Sequence, residues 1–149
     1  RLSAGRLMGA APVRHGEISV LYVMAAPAEY GDCLRARIQP LMTGVGPVEA
    51  IHKALARAQL SLADMDIIEI NEAFASQVLG CLKGLGVAFN DPRVNPHGGA
   101  IAVGHPLGAS GARLALSTAR ALQQSGKRYA VVSLCIGVGQ GLAMVMERV

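Results

Sequence analysis

Short apolar runs alternate with stretches of helical period along most of this chain, and that alternation constrains its fold more than any other feature. "ISVLYVMA", Ile18 to Ala25, is apolar and partly β-branched, as expected of a strand. Pro47 can sit in a helix's first turn, and Val48, Ile51, Leu55 and Ala58 then recur at helical spacing, which predicts a helix over about 47–58. "DMDIIEI" follows as a short buried strand, after a turn at Ser61 to Asp64. In "NEAFASQVLGCLKGLG", Ala75, Val78, Leu79, Leu82 and Leu85 share a helical face, Asn71 and Glu72 stand at the start, and Gly84 or Gly86 is the stop. Asn90 to Gly99 is rich in Pro, Asn and Gly and reads as an irregular loop. Ala100 to Val103 is expected as a short strand. Ala109 to Gln124 is expected as a helix, with Pro106 near its start and Gly126 past its end. "YAVVSLC" and "LAMVMER" are strands around the bend "IGVGQG", a hairpin-like ending. Three βα alternations favour an α/β fold: a mixed, largely parallel sheet with helices on both faces, to which the closing pair adds an antiparallel edge.

At 149 residues, with 52% hydrophobic and 16% charged, the chain suits one globular domain and is too apolar for disorder. No apolar run is long enough for a membrane span, and the first residues lack the order of a signal peptide, so a cytoplasmic protein without a membrane partner is expected. The net charge of +4 is scattered and aromatics are 3%, which argues against nucleic-acid binding. A mildly basic surface suits an anionic small molecule, and a plain solvated surface explains the charge equally well. Cys33, Cys81 and Cys135 are odd in number and far apart. That fits free thiols better than a disulfide framework or a zinc site.

Three segments concentrate chemistry: "NEAFA" at Asn71, "GHPLG" at Gly104 and "CIGVGQG" at Cys135. Each lies where a strand is expected to end or has just ended, where ligands gather in α/β sheets. An imidazole at His105 can exchange a proton near neutral pH and donate to an oxyanion, and it is equally readable as a solvated loop histidine. Cys135 reads either as a small buried core residue or as a thiolate favoured by backbone N–H groups of the glycine bend. Asn71 and Glu72 read as helix-capping residues, with Asn71 alternatively holding a water or a substrate oxygen. Asp64 and Asp66 read as turn residues rather than an acid–base pair. The P-loop, dinucleotide and nucleophile-elbow patterns are all unmatched.

"GVGPVEA", "INEAFASQ", "GGAIAVGHPLGASGAR" and "CIGVGQG", in this order and spacing, closely resemble the C-terminal half of the thiolases, which make or cleave 3-oxoacyl-CoA thioesters. "DPRVNP", "CIGVGQG" and the ending "ERV" look most like the 3-oxoadipyl-CoA branch, which serves aromatic-acid catabolism. The resemblance implies that His105 activates the family's nucleophilic cysteine and donates to the thioester oxyanion. It implies that Asn71 anchors the water completing that oxyanion hole, that Cys135 shuttles a proton at CoA sulfur or the α-carbon, and that the Gly137 N–H faces the acyl-enzyme oxyanion. Coenzyme A would be a substrate, with no tightly bound cofactor and no metal.

The resemblance covers about 41–149, so residues 1–40 are read as an atypical segment left from a preceding domain junction and 41–149 as the C-terminal domain. The family's nucleophilic-cysteine motif is not found, since neither Cys33 nor Cys81 stands in it, and the Asn-Ala-Ser-Gly segment that approaches CoA is missing. The stretch between Arg37 and Gly44 looks shortened, and His97 replaces the asparagine usual before the paired glycines. The chain is thus expected to carry half a site and to be inactive alone, with a homo-oligomer or a complementary N-terminal thiolase domain as partner. The competing reading is a noncatalytic remnant serving as an interaction or dimerisation module, and a small CoA-binding protein without chemistry is a third. On the first reading an apolar patch should lie exposed beside His105.

Overall fold

The computed structural model describes residues 13–15, 18–26, 45–137 and 139–149. Cys33 and the stretch 37–44 lie outside them. In chain order the elements are β1 (Val13–His15), β2 (Ile18–Ala26), α1 (Gly46–Ala58), a 3₁₀ turn (Leu62–Asp64), β3 (Ile67–Ile70), α2 (Ala75–Leu85), α3 (Ala100–Val103), α4 (Leu107–Ser125), β4 (Tyr129–Gly137) and β5 (Gln140–Arg148). The strands form one sheet in the order β1-β2-β5-β4-β3.

This is the expected α/β class, a mixed sheet with helices on both faces. Alternation along the strands divides two cores. Ile68, Ile70, Val131, Ala143 and Val145 face α1 and α2, where they meet Ile51, Leu55, Val78 and Leu82. Ile67, Ala130, Val132 and Met146 face the other way, onto Leu114, Ala121 and Leu122 of α4. The helices stop where glycine was expected to stop them: Gly86 and Gly126 cap α2 and α4 in the left-handed conformation.

Three expectations need correction. The sheet is not largely parallel: β3–β4 is its only parallel pair among the described strands, and β1–β2, β2–β5 and β5–β4 are antiparallel. Following those pairings, β2, β3 and β4 do run the same way, as βα alternation requires. After its hairpin, however, β5 inserts between β2 and β4 instead of lying at an edge. One inserted strand thereby turns a would-be parallel neighbour pair into two antiparallel ones.

Ala100 to Val103 is a helical turn, not a strand. Val103 N–H and Gly104 N–H donate back to the Gly99 and Ala100 carbonyls at 3.1 and 2.8 Å. Ile101 and Val103 consequently point outward and are exposed. Four apolar residues are too few for their period to separate helix from strand.

Finally, α2 begins at Ala75, so Asn71 and Glu72 do not cap it; Phe74 holds that position without a side-chain cap. Asp64 and Asp66 are turn residues as expected. Asp64 Oδ2 accepts from the Ser61 N–H and hydroxyl, and Asp66 Oδ2 accepts from the Arg128 and Tyr129 N–H groups.

Candidate active site

The carboxyl ends of β3 and β4 lie side by side because the two strands are parallel there. Asn71 follows β3 directly, and its N–H continues the ladder onto the Ser133 carbonyl at 2.8 Å. Its side chain is buried. Two strand residues further along β4 stands Cys135. The β4–β5 register then slips, since Cys135 pairs with Gly141 and Gly137 with Gln140. The unmatched residue is Ile136, and a bulge of this kind re-aims the side chains at a strand's end.

His105 arrives from the opposite side. Gly104 has φ +94, a conformation that side chains resist, and it turns the chain sharply out of α3. Pro106 then leads into α4, whose first turn carries the buried Ser110. His105 Nδ1 lies 2.6 Å from Ser110 Oγ, and Asn71 Nδ2 lies 3.2 Å from His105 Nε2.

The hydrogen-bond network assigns the protons. Ser110 spends its single hydroxyl proton on the Pro106 carbonyl at 3.0 Å, so its oxygen accepts from His105 Nδ1–H. Neutral His105 therefore carries no proton on Nε2, which is left as the acceptor facing Asn71. Arg113 Nη2, which can only donate, reaches Asn71 Oδ1 at 3.5 Å, and this orients the Asn71 amide with its NH₂ toward His105. A directed array results, running from Arg113 through Asn71 and His105 to Ser110 and the Pro106 carbonyl.

His105, Cys135 and Gly137 line one open cavity of about 470 Å³, with Phe74, Leu107 and Ile136 as apolar walls. Three of the four residues singled out from sequence thus meet at the cavity itself. Asn71 lies behind His105 and reaches it through that side chain. Burial pushes the Cys135 pKa up, a backbone hydrogen bond opposing it, so the group is held as a thiol. Cys81 is fully buried on α2 and its pKa is pushed up to about 11, chiefly by burial, which suits a core residue.

Sequence reasoning gave no role to Ser110, Arg113 and Glu69. Ser110 sits five residues beyond His105 in the opening turn of α4, a spacing that could have marked it. Arg113 and Glu69 carry charges on otherwise core-facing positions. Burial raises Glu69 to about 7, opposed by the Arg113 charge and aided by Glu72. Among the described residues no group of His, Cys, Asp or Glu gathers to hold a metal ion, and no helix is long and apolar enough to cross a membrane.

Around the cavity the surface is apolar and open. Of its lining residues Leu107 is 80% exposed, Phe74 68% and Ile136 49%, and Ile101 and Val103, shortly before His105 in sequence, are exposed as well.

Comparison with known proteins shows the family. The family model for the C-terminal domain of thiolase matches residues 24–148. The beta-ketoadipyl-CoA thiolase of Acinetobacter baylyi is 53% identical over 86% of this chain and 32% of its own length. The 3-oxoadipyl-CoA/3-oxo-5,6-dehydrosuberyl-CoA thiolase of Escherichia coli is 57% identical over 76% of this chain and 28% of its own. Among solved structures, human mitochondrial 3-ketoacyl-CoA thiolase in complex with CoA superposes with a TM-score of 0.79 at 38% identity, covering 91% of this chain and 31% of that one. The chain spans roughly a third of the length of the relatives it matches. With the family's C-terminal domain matched across 24–148 and its fold reproduced, the chain belongs to the thiolase family.

Proposed function

We propose that this chain is the C-terminal half of a thiolase acyl-transfer site, exchanging acyl groups between a 3-oxoacyl-CoA and coenzyme A. The observation that carries the reading is the directed Asn71–His105–Ser110 array beside a cavity shared with Cys135 and Gly137. His105 Nε2, unprotonated in the neutral ring, takes the proton of a nucleophilic thiol when that thiol displaces the Asn71 amide from it. Once it holds that proton it is a donor toward a thioester oxyanion. Asn71 holds that nitrogen before the thiol arrives and, once displaced from it, anchors a water at the same oxyanion. Cys135, kept as a thiol by burial, gives a proton to the α-carbon of the departing acetyl-CoA or takes one from the CoA sulfur. Gly137 offers its N–H to the oxyanion of the acyl-enzyme.

On this reading 41–149 form the C-terminal domain, with β2 of the preceding segment joining its sheet beside β5, and 1–40 descend from the junction with a domain that supplies the nucleophilic cysteine. The 149 residues alone therefore turn nothing over. That domain, on the same or another chain, would cover the apolar rim of Leu107, Phe74 and Ile136. Coenzyme A enters as a substrate rather than as a bound cofactor, in the cytoplasm, and the assembly is a homo-oligomer or a two-domain complex. The names of the relatives favour 3-oxoadipyl-CoA as the acyl donor, in aromatic-acid breakdown. The exposed rim taken alone favours a second reading, a noncatalytic interaction or dimerisation module.

One experiment separates the two. This chain is spliced in place of the matching third of the Acinetobacter baylyi enzyme, and thiolysis of 3-oxoadipyl-CoA and acetoacetyl-CoA is followed for chimera and isolated chain. Turnover by the chimera with none from the isolated chain is expected. A folded chimera without turnover favours the noncatalytic module, and turnover by the isolated chain overturns the assignment of the nucleophile.

A further inference from the structure

β3 is a four-residue strand with β4 on one side only, and its other edge is closed in an unusual way. The loop before α3 runs along that edge. Ile68 N–H donates to the Arg93 carbonyl at 2.8 Å, and Asn95 N–H donates to the Ile68 carbonyl at 3.0 Å. There the backbone turns away, Asn95 itself lying in the left-handed region at φ 43, which asparagine tolerates better than most residues. Its side-chain amide then stands in for the next strand residue. Asn95 Oδ1 accepts from Ile70 N–H at 2.8 Å, and Asn95 Nδ2 donates to the Ile70 carbonyl at 3.0 Å.

The remaining proton of Asn95 Nδ2 goes to Glu72 Oε1 at 3.1 Å. Glu72 Oε2 accepts the Ile101 N–H at 3.0 Å. A Cβ on Gly99 would lie 2.3 Å from the Glu72 carboxyl carbon, so this carboxylate occupies the space that any other residue at 99 would fill. Asn71 lies between Ile70 and Glu72 in the chain, and His105 is four residues beyond Ile101, connected by the tight turn of α3. Both members of the 3.2 Å Asn71–His105 pair are therefore attached to one small polar cluster.

We propose that Asn95 and Glu72 act as a clamp that sets the separation and orientation of Asn71 and His105, making them positioning residues for that pair. The clamp joins the end of β3 to α3 across 23 to 29 residues of sequence using only four side-chain hydrogen bonds. Neither residue lines the cavity, so each acts through the pair it holds. The inference rests on the acyl-transfer reading only for the roles of Asn71 and His105.

Its test reads geometry rather than turnover, and so succeeds or fails separately from that reading. In the 149-residue chain, the nuclear Overhauser effect between the Asn71 side-chain amide protons and the His105 ring proton Hε1 reports their contact. Asn95→Asp keeps the acceptor for Ile70 N–H but faces a second carboxylate with that of Glu72, and the Asn71–His105 effect should be lost. Adding Glu72→Gln to Asn95→Asp restores a donor between the two side chains but none for the Ile70 carbonyl, and the effect should return in part. Hydrogen exchange of the Val131 and Val145 amides in the sheet serves as the folding control. Should Asn95→Asp fail that control, Gly99→Ala displaces the Glu72 carboxylate without removing any hydrogen-bonding group, and the effect should again weaken. A folded Asn95→Asp or Gly99→Ala chain with the effect at full strength overturns the clamp, as does failure of the folded double variant to recover any of it.

Discussion

The two ends of the β4–β5 hairpin are built on opposite principles. At the end carrying Tyr129 and Arg148, polar groups close the structure on themselves. Asp66 receives two backbone N–H groups, Arg128 pairs with Glu147 at 2.7 Å, and Arg148 donates to the carbonyls of Gly126 and Lys127 at 2.7 and 2.8 Å. At the end carrying Cys135 and Gly137, apolar side chains stand in the open around a cavity, and the hydrogen-bonded side chains beside it belong to one array through His105. Satisfied polar groups need no partner, whereas exposed apolar area costs free energy until something covers it. A single hairpin can thus be closed by its own polar groups at one end and leave apolar surface open at the other.

The largest expected effect tests the open end. In the chimera described above, His105→Ala should lower thiolysis by about 100- to 10,000-fold, the usual contribution of a positioned acid–base group, while the thermal midpoint moves little. A small loss of turnover would remove His105 from the chemistry. A large fall in the midpoint would instead make the open end structural, like the closed one.

Next in size is the backbone contact beneath that end. A Cβ on Gly141 would lie 2.2 Å from the Gly46 carbonyl carbon, a clash with main chain that no rotamer relieves. Gly141→Ala should destabilise the chain by about 3 kcal/mol, toward the upper end of overpacking costs, in urea unfolding. A cost near zero would show that the bend can slide along α1 and that Gly137 is not held in place by it.

A smaller effect depends on pH. Glu69 is buried and its folded pKa is raised to about 7 from an ordinary 4.5. Between these values the folded chain binds a proton that the unfolded chain has released, so stability should fall as pH rises from about 4.5 to about 7. The loss should be on the order of 2 kcal/mol, and Glu69→Gln should flatten that part of the profile. Unfolding of both chains across this range checks it, and an unchanged slope in the variant would assign the pH dependence elsewhere.

The smallest effect is a control away from both ends. Lys53 and Glu49 form an exposed i,i+4 pair at 3.1 Å on α1. Lys53→Ala should cost no more than about 0.5 kcal/mol. A larger cost would mean that the stability attributed to the hairpin's closed end is shared by ordinary surface pairs.

Local pattern was enough for much of the molecule. The helices at 46–58 and 107–125, the strands at 18–26 and 129–148 and the glycine caps at 86 and 126 all follow from spacing and residue type. The motifs at Asn71, His105 and Cys135 were also legible, because unusual residues are bracketed there by glycine, proline or strand ends. Short pieces were not: β1 has three residues and α3 four, fewer than a period needs to declare itself.

What tertiary structure alone decided is which distant groups meet. That β2, β3 and β4 run the same way was already legible in the residues, since βα connections impose direction. It could not place β5 between β2 and β4, because the choice of neighbour depends on backbone edges and buried faces far apart in the chain. Asn71 shows the same division: next to an expected helix start it reads as a cap, yet the helix begins four residues later and the amide faces His105, 34 residues away. Periodicity is a property of a dozen consecutive residues, whereas a hydrogen-bonded site is a property of the packing that folds those stretches together.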